Sequence, residues 1–310
     1  MHVLLLGSAA GGGFPQWNCW CPCCRVARTD PSAAQPRTQS SAAISGDGCR
    51  WFLLNASPDV REQLRWVRTE DTPVTTIRHV PIEGVLVTDA EIDHTLGIVL
   101  LREARQLRVY APPAVQTILD RDSCLLPMTR AFSDVPVTDL PLNTRVPLCY
   151  RDGSASGLAV EAFPVPAAPP RFATREDEGH TVGFMLREEA SGTACAFVPG
   201  CGDLDAVLLT RLAEADALLF DGTFWADDEL IALGIGDRTA REMDHLPIAG
   251  RGGSLEQLAA LPCRHRVYTH INNTNPILLE HSPERAMVTR TGVIVGFDGL
   301  HLALHRETNL

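Results

Sequence analysis

Four polar residues between Asp89 and His94 have the types and the spacing of a metal site. Asp89, Glu91 and Asp93 alternate along the segment DAEIDH, and His94 follows directly. In an extended loop the three carboxylates would share one side, and the imidazole would add a nitrogen ligand. A divalent ion would offset the repulsion among the carboxylates. The alternative is that these acids only favour the N-terminus of a helix that begins after them, with His94 facing solvent.

A second cluster, of cysteines, lies near the start of the chain. Cys19, Cys21, Cys23 and Cys24 fall within six residues, whereas the other six of the ten cysteines are scattered. Cysteines this close in sequence do not easily reach disulfide geometry, and the cytoplasm keeps thiols reduced. The spacing of Cys19, Cys21 and Cys24 therefore predicts three thiolate ligands for a tetrahedral zinc ion. A set of free thiols without metal is the alternative.

The segments that position these residues predict an α/β fold. Residues 2–7 predict a strand that leads into a glycine-rich loop, and residues 41–59 contain two β-like runs around a Gly-Asp-Gly turn, which predict a hairpin. A helix is expected to follow, with Ser57 as its N-cap. Residues 85–87 predict a buried strand, and residues 97–106 predict a helix with one apolar face. The acidic cluster therefore lies at the carboxyl end of a strand.

The second half of the chain repeats this alternation of strands and helices. Its segments are a strand at 180–186, a strand at 193–200, a helix at 205–215, a strand at 217–222, a helix at 254–261, a strand at 265–271 and a closing hairpin around Gly299. Strands followed by helices in both halves predict two sheets packed face to face with helices outside. We expect one domain over residues 1–310, because no linker separates the halves.

Composition narrows the classes of partner. The chain has 310 residues, of which 45% are hydrophobic and 21% charged, and its formal net charge is −11. No apolar run approaches 18 residues, which excludes a membrane span, and the negative charge gives no long-range attraction to nucleic acid or anionic lipid. The N-terminus has no basic segment before its short apolar run, so we expect a cytoplasmic protein. A small molecule or another protein is the expected partner.

The motifs resemble those of the metallo-β-lactamase superfamily. The stretch IEGVLVTDAEIDHTLGI is similar to its central motif, His-x-His-x-Asp-His, with Asp89 and Glu91 in place of the first two histidines. Further matches follow in family order: FDGTFW at Asp221, MDHLPI at His245, YTHI at His270 and GFDG at 296–299. The combination of GGGFPQWNC, TDAEIDHTLGI and HINNTNP resembles more narrowly the family of pyrroloquinoline quinone (PQQ) biosynthesis protein B. The resemblance implies a metallo-β-lactamase-like αββα sandwich.

The departures from the superfamily pattern imply a single active-site metal. Two histidines of the superfamily's first site are replaced, and residues 163–172 and 197–202 contain neither the expected loop histidine nor the bridging aspartate. The residues of the second site, Asp93, His94 and His270, are retained. Two imidazoles and one carboxylate form the ligand set of non-haem Fe(II) enzymes that activate dioxygen. The resemblance thus implies Fe(II) at this triad.

Further roles follow from the same resemblance. Asp89 is expected to be a fourth metal ligand or an outer group that orients His94. His245 and Asp221 are expected to bind substrate or relay protons. Related proteins take a fourth zinc ligand three residues past the late histidine, a position occupied here by Asn273. Water and Cys23 remain alternatives for that ligand.

The implied function is a step of PQQ biosynthesis. We expect a hydroxylase that acts on the tyrosine-derived ring of a precursor made from a cross-linked Glu-Tyr unit, with other PQQ-pathway proteins as further partners. Because this substrate is anionic, Arg171 or Arg175 in the proline-rich loop is expected to help bind it. One alternative is a carrier of PQQ or of an intermediate with only structural zinc. Another is a zinc hydrolase.

Overall fold

Two seven-stranded sheets form the centre of the computed structural model, which describes residues 1–67, 77, 79 and 82–305. The strands of the first sheet are β1 (His2–Gly7), β2 (Ser41–Ser45), β3 (Trp51–Leu54), β4 (Ile82–Leu86), β5 (Val109–Ala111), β6 (Val137–Asp139) and β14 (Leu300–Ala303). The strands of the second sheet are β7 (Arg145–Cys149), β8 (Ala155–Pro164), β9 (Val182–Glu188), β10 (Ala194–Val198), β11 (Ala217–Asp221), β12 (His265–Thr269) and β13 (Val293–Val295). The spatial orders are β14-β1-β2-β3-β4-β5-β6 and β13-β12-β11-β10-β9-β8-β7.

Short helices cover the outer faces of both sheets. They are α1 (Pro22–Thr29), α2 (Val60–Gln63), α3 (Ile92–Thr95), α4 (Gly97–Leu100), α5 (Pro113–Thr117), α6 (Leu125–Arg130), α7 (Ala206–Leu212), α8 (Glu229–Ala232), α9 (Ser254–Ala260) and α10 (Pro283–Arg290). Within the described ranges, none of these helices has both the length and the apolar character needed to cross a bilayer.

Three hydrophobic clusters define the layers of the fold. One cluster lies between the sheets and contains Leu5 of β1 and Leu219 of β11. Leu4 and Leu6, on either side of Leu5, face the helices on one outer side. Leu218 and Phe220, on either side of Leu219, face the helices on the other outer side. Because both faces of each sheet are covered, the central strands are continuous apolar runs. The expected αββα sandwich is confirmed, and the single domain of residues 1–310 stays a prediction.

The parallel strands fix where chemistry can occur. β3, β4, β5 and β6 are parallel in the first sheet, and β10, β11, β12 and β13 are parallel in the second. The loops after the carboxyl ends of β4, β11 and β12 carry the acidic motif, the FDGTFW motif and the YTHI motif. Ligand sites in open α/β sheets lie at this edge, so the fold gathers the three motifs there.

The predicted closing hairpin around Gly299 is wrong. β13 pairs with β12 in the second sheet, whereas β14 pairs with β1 in the first. Residues 296–299 therefore cross from one sheet to the other. Two β-like runs joined by a glycine turn carry no local signal that distinguishes a hairpin from a crossover, because the partner strand is distant in sequence.

Two predicted helices have different bounds. The helix expected over 97–106 ends at Leu100, because the backbone that follows forms hydrogen bonds with Asp134. The Asp134 N–H donates to the carbonyl of Arg105, and the Leu107 N–H donates to the carbonyl of Asp134. The helix expected to start with Ser57 as N-cap begins at Val60 instead. The Ser57 hydroxyl accepts from the Asp59 N–H at 3.1 Å and therefore forms a turn before the helix.

Replacing Leu219 by alanine tests the layer between the sheets. Leu219 is 1% exposed, so Leu219→Ala should lower the free energy of unfolding by about 2–5 kcal/mol through lost burial and a cavity. Val207, 73% exposed on α7, is the matched control, and Val207→Ala should change stability by less than about 0.5 kcal/mol. Urea denaturation followed by circular dichroism measures both. Equal midpoints for the two variants would contradict this core.

Candidate metal centre

Asp93, His94 and His270 come together at the carboxyl edge of the strands. Asp93 and His94 lie in α3 after β4, and His270 follows β12. The Nε2 atom of His270 lies 3.3 Å from Oδ2 of Asp93, and Nε2 of His94 lies 3.9 Å from the same oxygen. One ligand atom from each residue lies within 4.8 Å of the other two. Both imidazoles are buried and the carboxylate is half-buried.

The chemistry of this triad fits a metal ion. Nε2 of His94 is buried and has no hydrogen-bond partner among the residues that the structure describes, and such atoms are rare unless another group satisfies them. Burial acts to lower the pKa of His94, but the charges of Asp89 and Asp93 outweigh it and raise this pKa to about 9. Burial likewise opposes ionisation of Asp93, yet His94 and His270 hold its pKa below the usual range. The site therefore favours positive charge.

Each imidazole of the triad is held through its other nitrogen. Nδ1 of His94 lies 2.8 Å from both carboxylate oxygens of Asp89. Asp89 in turn accepts from the hydroxyl of Thr88 at 2.7 Å. Nδ1 of His270 lies 2.8 Å from the hydroxyl of Thr223. These contacts fix the rings and direct both Nε2 atoms toward Asp93.

Asp89 therefore contacts His94, and it does not belong to the group of three ligand atoms. Glu91 lines the same cavity as Asp89 and Asp93, but it too lies outside that group. Burial first, and then the charges of Asp89 and Asp93, raise the pKa of Glu91 to about 7. The alternating acids thus share a cavity wall while only Asp93 meets both imidazoles, because the chain turns into α3 at Ile92.

His245 and Asp221 form a hydrogen-bonded pair beside the triad. Nδ1 of His245 lies 2.7 Å from Oδ2 of the fully buried Asp221, and the ring of His245 stacks on that of His270 with centroids 5.4 Å apart. Burial acts to lower the pKa of His245, but Asp221 raises it. Since Nδ1 is engaged, Nε2 is the nitrogen left for the cavity.

Asp221, His245 and His270 also lie close enough together to hold a metal ion. However, Asp221 already accepts hydrogen bonds from the Cys201 N–H, from the Thr223 N–H and hydroxyl, and from His245. A second ion would have to displace these bonds. We therefore interpret Asp221 as a hub that orients His245 and, through Thr223, His270.

The backbone near the triad has two constrained positions. His270 has a φ of +53°, in the left-handed region that side chains other than glycine seldom adopt. Such conformations are retained where the surrounding structure imposes them, often at functional sites. A Cβ atom placed on Gly11 would lie 3.2 Å from Oδ2 of Asp93. The glycine-rich loop therefore lets the backbone approach the carboxylate.

The cysteine loop forms a second candidate metal site. Sulfur atoms of Cys19, Cys21 and Cys24 lie within 4.8 Å of one another at the start of α1. The Cys23 sulfur lies outside this group of three, and its thiol donates to the carbonyl of Thr274 at 3.4 Å. A hydrogen bond from Cys23 is the largest effect that lowers the pKa of the Cys21 thiol, to about 5. This site has three thiols, and Cys23 is not among them.

Asn273 closes the fourth side of the cysteine loop. Its side-chain amide lies 3.3 Å from Sγ of Cys24 and 3.8 Å from Sγ of Cys21, with the amide nitrogen facing both sulfurs. A half-turn of the amide would present its oxygen instead. Of the ligands left open by the sequence, Asn273 contacts two of the three sulfurs, whereas Cys23 lies outside the group. All metal-ligand roles assigned to these residues stay predictions.

Three side chains at the site were not identified from the sequence as candidates. They are Thr88, Thr223 and Arg238. Thr223 lies in the FDGTFW motif, so the motif was an available signal, but nothing local shows that its hydroxyl reaches His270 across 47 residues. Of the two arginines expected to help, Arg171 lines the cavity. Arg175 is ion-paired with Asp177, at 3.3 Å between Nε and Oδ2, and does not line it.

Comparisons with known proteins agree with this architecture. The family model of the beta-lactamase superfamily domain matches residues 50–271. Coenzyme PQQ synthesis protein B of Methylobacterium nodulans is 45% identical over 310 residues, which cover 98% of this chain and 100% of that protein. The protein of the same name from Gluconacetobacter diazotrophicus is 39% identical and covers 97% of this chain and 99% of its own.

Solved structures give the same result. The crystal structure of Zn²⁺-bound PqqB from Methylobacterium extorquens has a TM-score of 0.88 and 41% identity, and it covers 98% of this chain and 100% of that one. A diphosphatase from the PhnP family has a TM-score of 0.66 at 19% identity, over 97% of this chain and 96% of that one, and it shows the fold alone.

Replacing Asp89 by asparagine tests the support of His94. The neutral amide removes the charge that holds the Nδ1 proton, so the affinity of the triad for a divalent ion should fall about 10–100-fold. Competition with a chromogenic chelator measures this affinity. Glu91→Gln is the matched control, because the Glu91 side chain lines the same cavity and the His94 ring is held by Asp89 instead, and it should change the affinity less than about threefold. Equal losses in the two variants would contradict the role of Asp89.

Replacing Cys24 by serine tests the cysteine site. The variant should lose about one zinc ion per chain and unfold at a lower temperature, because a closed zinc site contributes to folding. Cys124→Ser is the matched control, since Cys124 is an exposed thiol outside the cluster. Elemental analysis and thermal denaturation measure the two effects. Unchanged zinc content in Cys24→Ser would argue for free thiols.

Proposed function

The chain belongs to the beta-lactamase superfamily and, within it, to the family of coenzyme PQQ synthesis protein B, and from this premise we propose that it catalyses a hydroxylation in PQQ biosynthesis. The proposed substrate is the tyrosine-derived ring of a Glu-Tyr-derived precursor. The proposed cofactor is one Fe(II) ion held by Asp93, His94 and His270. Zinc at the cysteine loop is the proposed structural metal.

The ligand set of the triad carries this proposal. Two imidazoles and one carboxylate leave open positions on an octahedral ion, as in non-haem iron enzymes that activate dioxygen. Members of the superfamily are usually hydrolases, and hydrolytic sites favour two ions or a zinc-bound water. Among the described residues, Asp89 lies at the imidazole of His94 and Asp221 is saturated with hydrogen bonds. These observations support one ion over two.

Iron bound at the triad would supply the activation of dioxygen, with one oxygen atom entering a ring C–H bond as the hydroxyl group and the other leaving as water by means of two electrons and two protons from an external reductant. The chain's own side chains would do the rest. Asp89 and Thr223 keep the rings of His94 and His270 in place. His245 presents Nε2 to the cavity, where it can exchange a proton with a ring hydroxyl of the substrate. The buried carboxylate of Asp221 stabilises the protonated form of His245.

The zinc site would support the catalytic site through one short segment. His270 and Asn273 are three residues apart, so one loop reaches both candidate metal sites. The Cys23 thiol donates to the carbonyl of Thr274 in the same loop. The side-chain amide of Asn275 donates to the carbonyl of Gly222, next to Thr223. A zinc ion at the cysteines would therefore hold the His270 loop in place.

Anaerobic loading with Fe(II), followed by addition of dioxygen, a two-electron reductant such as ascorbate, and a catecholic or tyrosine-like substrate, tests the function. The wild-type protein should consume dioxygen only when substrate is present. Asp93→Asn and His270→Ala should retain zinc at the cysteine loop, lose iron and reduce the rate of dioxygen uptake at least about 100-fold, because the remaining ligands hold the ion weakly. An oxygen electrode and elemental analysis give the two readouts.

His281→Ala is the matched control, since His281 is an exposed histidine outside the site. Its rate should equal that of the wild type. No dioxygen uptake by the iron-loaded wild type, combined with tight binding of PQQ, would favour a carrier. Turnover of an ester or phosphodiester without dioxygen would favour a zinc hydrolase. Either result would overturn the hydroxylase.

A further inference from the structure

Two arginines line the cavity in front of the triad, and they come from different loops. Arg171 lies in the segment 165–181 between β8 and β9, and Arg238 lies in the segment after α8. The cavity has a volume of about 360 Å³, which suits a small organic ligand. Two segments thus each contribute one arginine to a cavity that is also lined by the candidate metal ligands.

The other charged walls of this cavity are mostly acidic. Asp89, Glu91, Asp93 and Asp244 all line it, and the chain as a whole carries a net charge of −11. An anion that enters such a cavity is repelled unless positive charge lies close to its path. The sequence contains no lysine, so arginine must supply that charge wherever histidine is neutral.

Neither guanidinium group has a hydrogen-bond or ion-pair partner among the residues that the structure describes. Arg171 and Arg238 form no hydrogen bond or ion pair with any residue in 1–67, 77, 79 or 82–305, although acidic side chains line the same cavity. Arg175, four residues beyond Arg171, is instead paired with Asp177. The donors of the two cavity arginines are therefore available to a ligand.

Arg171 lines the same cavity as the acidic motif, whose Asp89, Glu91 and Asp93 form part of the wall. Guanidinium groups bind carboxylates through two parallel hydrogen bonds, which orient the ligand as well as attract it.

We propose that Arg171 and Arg238 form a carboxylate-binding pair that selects an anionic, ring-bearing substrate and orients it in the cavity of the triad. The assignment rests on the proposed function, because it names the groups that recognise the substrate of that site. The pair includes Arg238, which lies outside the motifs found in the sequence, and it does not include Arg175. The pair would compensate for the acidic wall that the metal site requires.

Anaerobic calorimetric titration tests this pair without turnover. The probe is the dicarboxylate N-acetyl-Glu-Tyr, and its neutral counterpart is N-acetyl-Gln-Tyr amide. The wild-type protein should bind the dicarboxylate at least about tenfold more tightly than the neutral peptide, because each charge-assisted pair contributes a factor of this order. Arg171→Gln and Arg238→Gln should each weaken binding of the dicarboxylate about tenfold and change binding of the neutral peptide less than about twofold.

Two further variants distinguish the pair from general charge. Arg238→Lys keeps the charge but loses the planar pair of donors, so its affinity should fall between those of the wild type and Arg238→Gln. Arg175→Gln is the matched control from the same loop as Arg171, and it should bind both peptides as the wild type does. Zinc content and thermal midpoint report whether each variant is folded.

The proposal is overturned if the wild type does not prefer the dicarboxylate, or if Arg171→Gln and Arg238→Gln retain the preference. It is also overturned if a variant loses affinity for both peptides equally, since that result indicates a damaged cavity. The outcome is independent of the hydroxylase test. If the wild type prefers the dicarboxylate but consumes no dioxygen, the proposed arginine pair stands and only the proposed hydroxylation is contradicted.

Discussion

The candidate site depends on fixing the orientation of three imidazole rings at a sheet edge that also contains several buried carboxylates. Each of these rings is anchored through Nδ1 and presents Nε2 toward the cavity. The three anchoring contacts are those of His94 with Asp89, of His270 with Thr223 and of His245 with Asp221. An unpaired charge at such depth is costly, and Asp89, Asp93 and Asp221 each lie within hydrogen-bond distance of an imidazole. The clustering of candidate metal ligands is a consequence of this matching.

This constraint also explains why the segment after β12 is so rich in polar contacts. Its residues reach the candidate catalytic metal through His270 and the candidate structural metal through Asn273, and Asn275 fixes it to the loop after β11. A segment that serves two sites cannot move at one without moving at the other. The left-handed backbone of His270 is retained because contacts on both sides impose it.

The same charges determine the character of the cavity in front of the triad. A wall that attracts a divalent cation repels an anionic substrate, and both requirements are met only if positive groups stand in front of the acids. Arg171 lies in the loop after β8 and Arg238 in the segment after α8, outside the loops that carry the candidate metal ligands. They therefore introduce charge without disturbing the hydrogen bonds that hold the histidines. The pairing of Arg175 with Asp177 shows that nearness in sequence does not decide which arginine lines the cavity.

The sequence by itself determined the elements and the candidate ligands, because apolar periodicity and ligand spacing are local properties. The buried strands, the αββα layers, the triad and the cysteine loop all followed from residues that are adjacent in the chain or belong to recognisable motifs. Only the tertiary structure decided which sheet receives the last strand, where the helix after Gly97 ends, and which side chain holds each ring. Those outcomes depend on partners tens to hundreds of residues away, and local sequence carries no information about which distant backbone or hydroxyl group will satisfy a buried donor.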